Sequence, residues 1–543
     1  MIFLFAFSAG AVSIGEFATF NVDTHFEKDE KSQTAAVLVR TSPNLYVYME
    51  KSWWDSQVPA RQTEILQSID SLSVEFSNVI YPTLTSVFGS EWNPGVDGDS
   101  KITLLFHSMK QNAAGYVRTA DEYLKLQIPD SNEGEMVYLS LANIDDVSKL
   151  KVFLAHEFVH LITFNQKDRL RGVQEDIWLN ETRAEYAVSL LGYNNQYEGS
   201  NLATRVKDFL EKPTDSLVEW QNTKYDYGVV NVFTHYLVDH YGINILSDSL
   251  QSNLTGIASI NKILQESGYQ EDFAQIFTNW TISLIINNCA IDSHYCYLNK
   301  NLASFKINPA LVFLPVSGSS SLSLTNVTKN WSGNWQKIIG GNGNLTLKFS
   351  SLAGLNFKVP YLVVEKNGAS SLKFLTLNDK QEGEISLADF DTKYSSLVIM
   401  PSLQTKLSQF SEFELTHPYT VTISIDAPPS DEEQAVIQSL LDQIESLKKQ
   451  IAELQAHQNP SAAIACTSLN NNLYVGVSLA TDVRCLQQFL KNQGGGIYPE
   501  GLVTGTFGNL TKNAVLRFQR LHSIVQTGFV GPITRAKINA ILP

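Results

Sequence analysis

Two histidines four residues apart are the strongest chemical signal in this sequence. His156 and His160 bound the run His-Glu-Phe-Val-His, in a stretch without Pro or Gly that predicts a largely buried helix. Four residues make just over one helical turn, so both imidazoles project from one face and can share a metal ion. Glu157 lies beside them and can reach a metal-bound water without being a ligand. The alternative is a helix with two hydrogen-bonded core histidines.

A zinc ion needs a third protein ligand and an open position for water. The pattern in which His-x-x-Gly-x-x-His supplies that ligand is excluded, because positions 163 and 166 are Thr and Gln. Residues 178–188 form a second helical stretch, in which Glu181 and Glu185 are four apart and share a face. One carboxylate can bind the metal while the other hydrogen-bonds a ligand imidazole. Acids on a helix are otherwise usually solvated.

Together the two runs resemble the gluzincin zinc metallopeptidases. His-Glu-Phe-Val-His followed by Trp-Leu-Asn-Glu-Thr-Arg-Ala-Glu-Tyr is most similar to the hyicolysin-like branch and, more distantly, to the zinc aminopeptidases. The resemblance implies a thermolysin-like α+β domain and Zn²⁺ as cofactor. It also implies these roles: zinc ligands His156, His160 and Glu181, general base Glu157, and Glu185 as a partner of a ligand imidazole.

The family also supplies a transition-state donor, commonly a Tyr three residues before a Gly that opens a helix. Lys-Tyr-Asp-Tyr-Gly, which ends at Gly228, fits this pattern. The resemblance therefore favours Tyr225 as a catalytic residue and leaves Tyr227 in reserve. The alternative is a tyrosine that packs at a helix start.

The resemblance implies hydrolysis of peptide bonds in a protein or peptide substrate. Aminopeptidases of this type hold a free N-terminus with a Gly-Ala-Met-Glu-Asn run before the zinc helix, and this chain has no such run. The stretch at 131–138 instead resembles the strand beside the cleft in the hyicolysin-like group. An endopeptidase is therefore favoured over an aminopeptidase.

The length of 543 residues requires several domains, and 43% hydrophobic with 17% charged residues is a globular composition. We expect a metallopeptidase domain at 15–308, with strands first and helices after. Short alternating runs rich in Ser and Asn predict a β-rich, sandwich-like domain at 309–425. Prolines mark a linker at 426–462.

Within that linker, apolar residues recur with heptad spacing. Ile occupies one core position and Leu the other, which favours a parallel two-stranded coil. Because the seam covers fewer than three heptads, a weak dimer and a helical spacer both stay open. The seam residues are Ile437, Leu440, Ile444, Leu447, Ile451 and Leu454.

Residues 463–543 resemble the three-helix peptidoglycan-binding domain of bacterial exported proteins. The likeness rests on Leu-Gln-Gln-Phe-Leu, Gly-Thr-Phe-Gly and Leu-Arg-Phe-Gln, and it implies binding to the cell wall. Cys466 and Cys485 fit a disulfide that ties the loop leading into the domain to its first helix. The tail carries net +5 and the preceding residues −20, as expected for modules with different partners. The alternative is a purely structural helical domain.

Several features predict export to the cell surface. Residues 1–14 are apolar and then small, which is typical of a signal segment, although a buried first strand is the alternative. The cysteines form two close pairs, Cys289 with Cys296 and Cys466 with Cys485, compatible with local disulfides or with four buried thiols. A net charge of −15 argues against a nucleic-acid partner, and no apolar run is long enough to span a membrane.

The sequence thus predicts an extracellular, wall-tethered zinc endopeptidase. One alternative is a hydrolase of the peptide stems of peptidoglycan. Another is a non-catalytic wall-associated binding or adhesion protein whose metal site is structural or dead. An intact Glu157 argues against the last, since a structural site needs no base and closes its fourth position.

Overall fold

The computed structural model describes residues 13–111, 113–316, 318–426, 431–458 and 466–542. The chain divides into two compact units, 1–434 and 435–543, so it is multidomain as predicted. The predicted signal segment lies outside the described residues except for its last two positions. Within the described ranges, every helix is too short or too polar to cross a membrane.

A six-stranded sheet begins the first unit, in the order β1-β2-β3-β4-β6-β5. The three strands β3, β4 and β6 are parallel, and β5 pairs antiparallel with β6 at the edge. Every side chain of β6 is buried, as expected for the interior of a sheet covered on both faces. The strands are β1 (Phe17–Asn21), β2 (Gln33–Thr41), β3 (Leu45–Glu50), β4 (Ile102–His107), β5 (Gly115–Tyr116) and β6 (Met136–Ser140).

Three helices, α1 to α3, connect β3 to β4, and the other seven follow the sheet. Leu150, Leu154 and Phe158 are fully buried at helical spacing on α4 and anchor it in the main core. The Asp146 side chain caps that helix by accepting from the backbone N–H of Lys149 at 3.0 Å. The helices are α1 (Lys51–Asp55), α2 (Pro59–Glu75), α3 (Tyr81–Phe88), α4 (Val147–Thr163), α5 (Ile177–Leu190), α6 (Asn201–Glu211), α7 (Lys224–Tyr241), α8 (Asn244–Leu250), α9 (Gly256–Glu266) and α10 (Phe273–Ile286).

A nine-stranded sheet forms the β-rich region, in the order β13-β12-β15-β14-β10-β17-β8, with β9 joining β7 to β15. Strands β11 and β16 pair separately. The strands are β7 (Ala310–Leu314), β8 (Ser320–Thr328), β9 (Gln336–Gly340), β10 (Gly343–Ser351), β11 (Phe357–Lys358), β12 (Pro360–Glu365), β13 (Ser370–Phe374), β14 (Glu382–Phe390), β15 (Tyr394–Ile399), β16 (Ser402–Leu403) and β17 (His417–Asp426).

This β-rich region has its own core and also shares the main one. Alternate residues of β10 and β17 point into a second apolar cluster. On β12 and β15, Leu362 and Val398 face the other way and pack into the main core together with Trp331. The Trp335 indole N–H donates to the carbonyl of Thr281 on α10 at 2.9 Å. The segments 15–308 and 309–425 therefore belong to one compact unit.

The C-terminal part of the chain is helical. Its helices are α11 (Asp431–Gln458), α12 (Ala480–Asn492), α13 (Asn509–Leu521) and α14 (Pro532–Asn539). Gln487 and Gln519, from the repeated Leu-Gln and Phe-Gln elements, are buried, and each accepts a backbone N–H from a glycine turn, Gly505 and Gly528. These elements of the motif therefore stabilise the domain's own fold.

Both predicted disulfides are present. Cys289 is bonded to Cys296 and Cys466 to Cys485, with Cα–Cα separations of 5.1 and 5.3 Å. The second bond attaches the entry loop of the domain to α12, as the resemblance implied.

Four of the six seam residues on α11 are exposed, Ile437 is half-buried, and the side chain of Leu454 lies outside what the structure describes. Leu440, Ile444, Leu447 and Ile451 each keep between 48% and 56% of their surface accessible in the single chain. A two-stranded coil would bury this seam, so the dimer stays a prediction that the oligomeric state in solution tests.

Candidate metal centre

Helices α4 and α5 bring His156, His160 and Glu181 together. Their ligand atoms all lie within 4.8 Å of one another, which no other trio of His, Cys, Asp or Glu achieves in the described part of the chain. Nε2 of His156 lies 3.1 Å from one Glu181 oxygen, and Nε2 of His160 lies 3.7 Å from the other. The three predicted ligands therefore converge, with both histidines presenting the same ring nitrogen.

The opposite nitrogen of each imidazole faces an oxygen. Nδ1 of His160 lies 3.1 Å from the side-chain oxygen of Asn180, and Nδ1 of His156 lies 3.5 Å from Glu185. An acceptor at Nδ1 favours the tautomer that carries its proton there, which leaves Nε2 free to bind a metal. Glu185 thus lies behind the imidazole of His156, one of the predicted ligands.

Glu185 is itself held by four donor contacts. Arg205 donates two hydrogen bonds to it, at 2.8 and 3.0 Å, and the amides of Asn201 and Asn231 donate one each at 3.0 Å. Burial alone would raise the pKa of Glu185, but Arg205 and the other neighbours hold it below its usual range. Glu185 is therefore ionised and fixed in place, and so orients His156.

Glu157 lies beside the trio and next to the edge strand. It is 8% exposed, and burial raises its pKa, partly offset by the two histidines. A Cβ atom added to Gly115 on β5 would lie 3.3 Å from Cγ of Glu157 and 2.8 Å from the carbonyl oxygen of Tyr138. Gly115 therefore allows β5 to pass close to Glu157. The strand beside the site is β5, whereas the predicted stretch at 131–138 leads into the interior strand β6.

The two tyrosine candidates lie on opposite sides of α7, because residues two apart differ by about 200° around a helix. The Tyr227 ring centroid lies 6.2 Å from that of His156. Burial, together with the carboxylates of the site, raises the pKa of Tyr227. The Tyr225 ring instead faces the ammonium groups of Lys212 and Lys224, at 5.4 and 5.2 Å. The structure therefore places Tyr227, the reserve candidate, beside the histidines and the predicted Tyr225 away from them, and a catalytic role for either tyrosine stays a prediction.

The donor set fits a zinc ion. Two imidazoles and one carboxylate with an open position form a common ligand set of catalytic zinc. One buried Glu181 oxygen has no hydrogen-bond partner, although Nε2 of His156 is close to it. Burial lowers the pKa of His156, but Glu181 and the other carboxylates raise it to about 9. The negative charge of these carboxylates therefore favours a positive charge between them and His156. A cation would balance that negative charge and bind the unpartnered oxygen.

Sequence reasoning missed Arg205, Asn201 and Gly115. Arg205 lies on α6 next to the buried positions Leu202 and Val206. Its position relative to the apolar face of this helix was the signal from which its burial could have been predicted. Nothing in the local sequence identified Gly115, because its role depends on how β5 approaches α4.

Comparison with known proteins identifies the C-terminal domain. A family model described as "Putative peptidoglycan binding domain" matches residues 480–538, which include α12, α13 and all but the last residue of α14. This confirms the predicted resemblance for that part of the chain. No curated protein matches the sequence. The domain gives the chain a cell-wall partner, and with the two disulfides it indicates a cell-wall-associated, extracellular protein.

Solved structures show only distant likeness. The Yersinia pseudotuberculosis-derived mitogen is 12% identical over 21% of this chain and 92% of its own, with a TM-score of 0.15. The pre-peptidase C-terminal domain of a Bacillus anthracis collagenase is 7% identical over 21% and 96%, with a TM-score of 0.14. PliG of Aeromonas hydrophila, a periplasmic lysozyme inhibitor, is 10% identical over 22% and 98%, also at 0.14. Scores this low support no inference about this chain.

Proposed function

We propose that this protein is a zinc-dependent endopeptidase of the gluzincin type, with a thermolysin-like catalytic part, held at the bacterial cell wall by its C-terminal domain. One observation carries the proposal: His156, His160 and Glu181 converge, each imidazole is oriented from behind, and Glu157 lies beside them. His156, His160 and Glu181 would hold the zinc.

The chemistry assigns separate tasks to the chain's own residues. Zinc at such a site supplies a water of lowered pKa and polarises the scissile carbonyl. Glu157 takes a proton from the attacking water and passes it to the departing amine. Burial raises the pKa of Glu157 and so brings this carboxylate closer to the range in which a base works best near neutral pH. The Tyr227 hydroxyl donates to the carbonyl oxygen as negative charge develops there.

The edge strand supports cleavage within a chain rather than at its end. Among the described residues β5 pairs with β6 alone, so its other edge can receive an extended peptide. Because Gly115 lies against Glu157, a peptide aligned there would pass the base and continue in both directions. An endopeptidase must accept chain on both sides of the scissile bond, whereas an aminopeptidase additionally needs a pocket for a free N-terminus.

Both parts of the proposal can be tested with two proteins, the full chain and a chain that ends at residue 462. Each is assayed for hydrolysis of casein and for hydrolysis of purified peptidoglycan. We expect equal casein hydrolysis by both proteins and sedimentation with the wall by the full chain alone. Release of amines from peptidoglycan without casein hydrolysis would instead identify a hydrolase of wall peptide stems. Wall binding without any hydrolysis would identify a non-catalytic binding or adhesion protein.

Replacing Tyr227 with Phe is expected to lower kcat on casein by about 10²-fold, because it removes one donor to the developing oxyanion. KM should change little, since the aromatic ring and its contacts with Trp220 and Arg205 remain. Tyr225→Phe is the matched control and should keep near wild-type kcat. A loss of activity in the Tyr225 variant alone would reverse the assignment.

A further inference from the structure

Two exposed aromatic side chains distinguish one face of the C-terminal domain. Residues 463–543 contain six Phe and Tyr residues, and four of them are core side chains that keep at most 4% of their surface accessible. Tyr474 and Phe529 instead remain 51% and 37% exposed. Exposed aromatic surface commonly marks a binding site, so this pair is a candidate ligand contact. The four core residues are Phe489, Tyr498, Phe507 and Phe518.

The backbone places the two exposed rings side by side. Leu473 and Val530 form an antiparallel bridge in which each N–H donates to the other residue's carbonyl, at 3.3 and 2.9 Å, and both side chains are fully buried. Because successive side chains of extended backbone point to opposite sides, the next pair across the bridge, Tyr474 and Phe529, points outward. Their ring centroids lie 6.1 Å apart, with 36° between the ring planes. We call this pair of rings the aromatic platform.

The Phe529 half of the platform is held by the protein itself. The buried side chain of Gln519 accepts the N–H of Gly528 and donates to the carbonyl of Phe529, both at 2.9 Å. A Cβ atom added to Gly531 would lie 2.6 Å from Cε1 of Phe529, so the glycine leaves room for the ring. Binding at a surface that is already ordered loses little conformational entropy, which favours affinity.

The Tyr474 half lies in the segment before α12, which is attached to the domain at two points. The disulfide joins Cys466 to Cys485 on α12. The Asn539 side chain accepts the N–H of Leu469 at 2.7 Å and donates to its carbonyl at 2.9 Å. These contacts hold the segment against the helices and so help to keep Tyr474 beside its partner ring.

A second loop of the same construction carries no such ring. The loop around Gly505 is built like the loop around Gly528, because each glycine N–H donates to a buried glutamine side chain, at 2.8 and 2.9 Å. Thr506 follows the first glycine where Phe529 follows the second. The loop structure therefore does not itself require an aromatic residue, and the exposed ring of Phe529 needs a role other than folding.

Positive charge lies beside the platform. Asn472 is two residues before Tyr474 and so points to the same side of the bridge, where the guanidinium of Arg535 donates to its side-chain oxygen. The aliphatic part of Lys512 lies against Gly528, since an added Cβ there would be 2.6 Å from Cγ of Lys512. An anionic group attached to a ligand on the platform would meet these cations.

We propose that the aromatic platform of Tyr474 and Phe529 binds the glycan strand of peptidoglycan, with Arg535 facing a carboxylate of the attached stem peptide. The family match supplies the class of partner, but it spans residues 480–538 and so leaves Tyr474 outside. A sugar ring has an apolar face of C–H groups that packs on aromatic rings, while its hydroxyl and amide groups stay in water. The inference rests on the wall partner and not on the proposed peptidase activity.

The test is sedimentation of the full chain with purified peptidoglycan. Tyr474→Ala and Phe529→Ala should each raise the Kd by about 10-fold or more, because each removes half of the platform. Tyr474→Phe keeps the ring and should bind nearly as the wild type does. Leu502→Ala, which truncates a 49% exposed apolar side chain between α12 and α13, is the matched control and should also bind normally.

Competition experiments identify the part of peptidoglycan that is bound. Peptide-free glycan strands should displace the wild-type chain from the wall, whereas free stem peptides should not. Because this experiment uses the wild type, it decides the question even if an alanine variant proves unstable in thermal unfolding. The proposal is overturned if stem peptides alone compete, or if both folded alanine variants bind the wall as the wild type does. A changed oligomeric state with unchanged wall binding would show that the platform joins two copies of the chain instead.

Discussion

Replacing Glu157 with Gln is expected to lower casein hydrolysis by about 10²–10⁴-fold while leaving the zinc content unchanged. The amide has nearly the same shape as the carboxylate but cannot accept the proton of the attacking water. Glu157 is not among the three converging ligand groups, so the metal should remain. The measurement is kcat on casein beside zinc per chain. Glu266→Gln, which changes an exposed glutamate at the end of α9, is the control for a neutral Glu-to-Gln change.

Two results would count against this role. Casein hydrolysis at the wild-type rate would show that another group is the base. Loss of zinc together with activity would show that Glu157 helps to hold the metal, in which case its role as base needs separate proof. Thermal unfolding of the variant should resemble that of the wild type, because removing a buried charge introduces no cavity.

Replacing Glu181 with Ala is expected to remove zinc and activity together. A residue that hydrogen-bonds a metal ligand contributes about 10–100-fold to metal affinity. Loss of a ligand itself should therefore lower the affinity by more than about 100-fold. Glu185→Gln should fall within the smaller range, because it weakens the orientation of His156 but keeps all three ligands. Competition with a chromophoric chelator measures both affinities, and casein hydrolysis follows zinc occupancy in the same samples.

The order of these effects is the decisive comparison. If Glu185→Gln lost zinc more severely than Glu181→Ala, the two carboxylates would have exchanged roles. If Glu181→Ala kept stoichiometric zinc at wild-type affinity, the third ligand would have to be sought elsewhere.

Much of the site could be predicted because its residues are paired within helices. The four-residue spacings of His156 with His160 and of Glu181 with Glu185 fix a common face before any tertiary contact forms. The repeated Leu-Gln and Phe-Gln elements likewise identified the C-terminal domain, which the family match confirms.

The remainder depends on contacts between distant segments. Choosing between Tyr225 and Tyr227 required knowing which side of α7 faces α4, and the pattern around Gly228 does not encode that direction. Arg205 reaches Glu185 from a different helix, twenty residues along the chain.

The most direct test of the central claim is zinc content and casein hydrolysis of the wild-type chain, measured before chelation, after it, and after zinc is returned. We predict about one zinc per chain, loss of hydrolysis when it is removed, and recovery when it is restored. Hydrolysis that persists in the zinc-free protein would contradict the claim, as would a fully zinc-loaded protein that cleaves nothing.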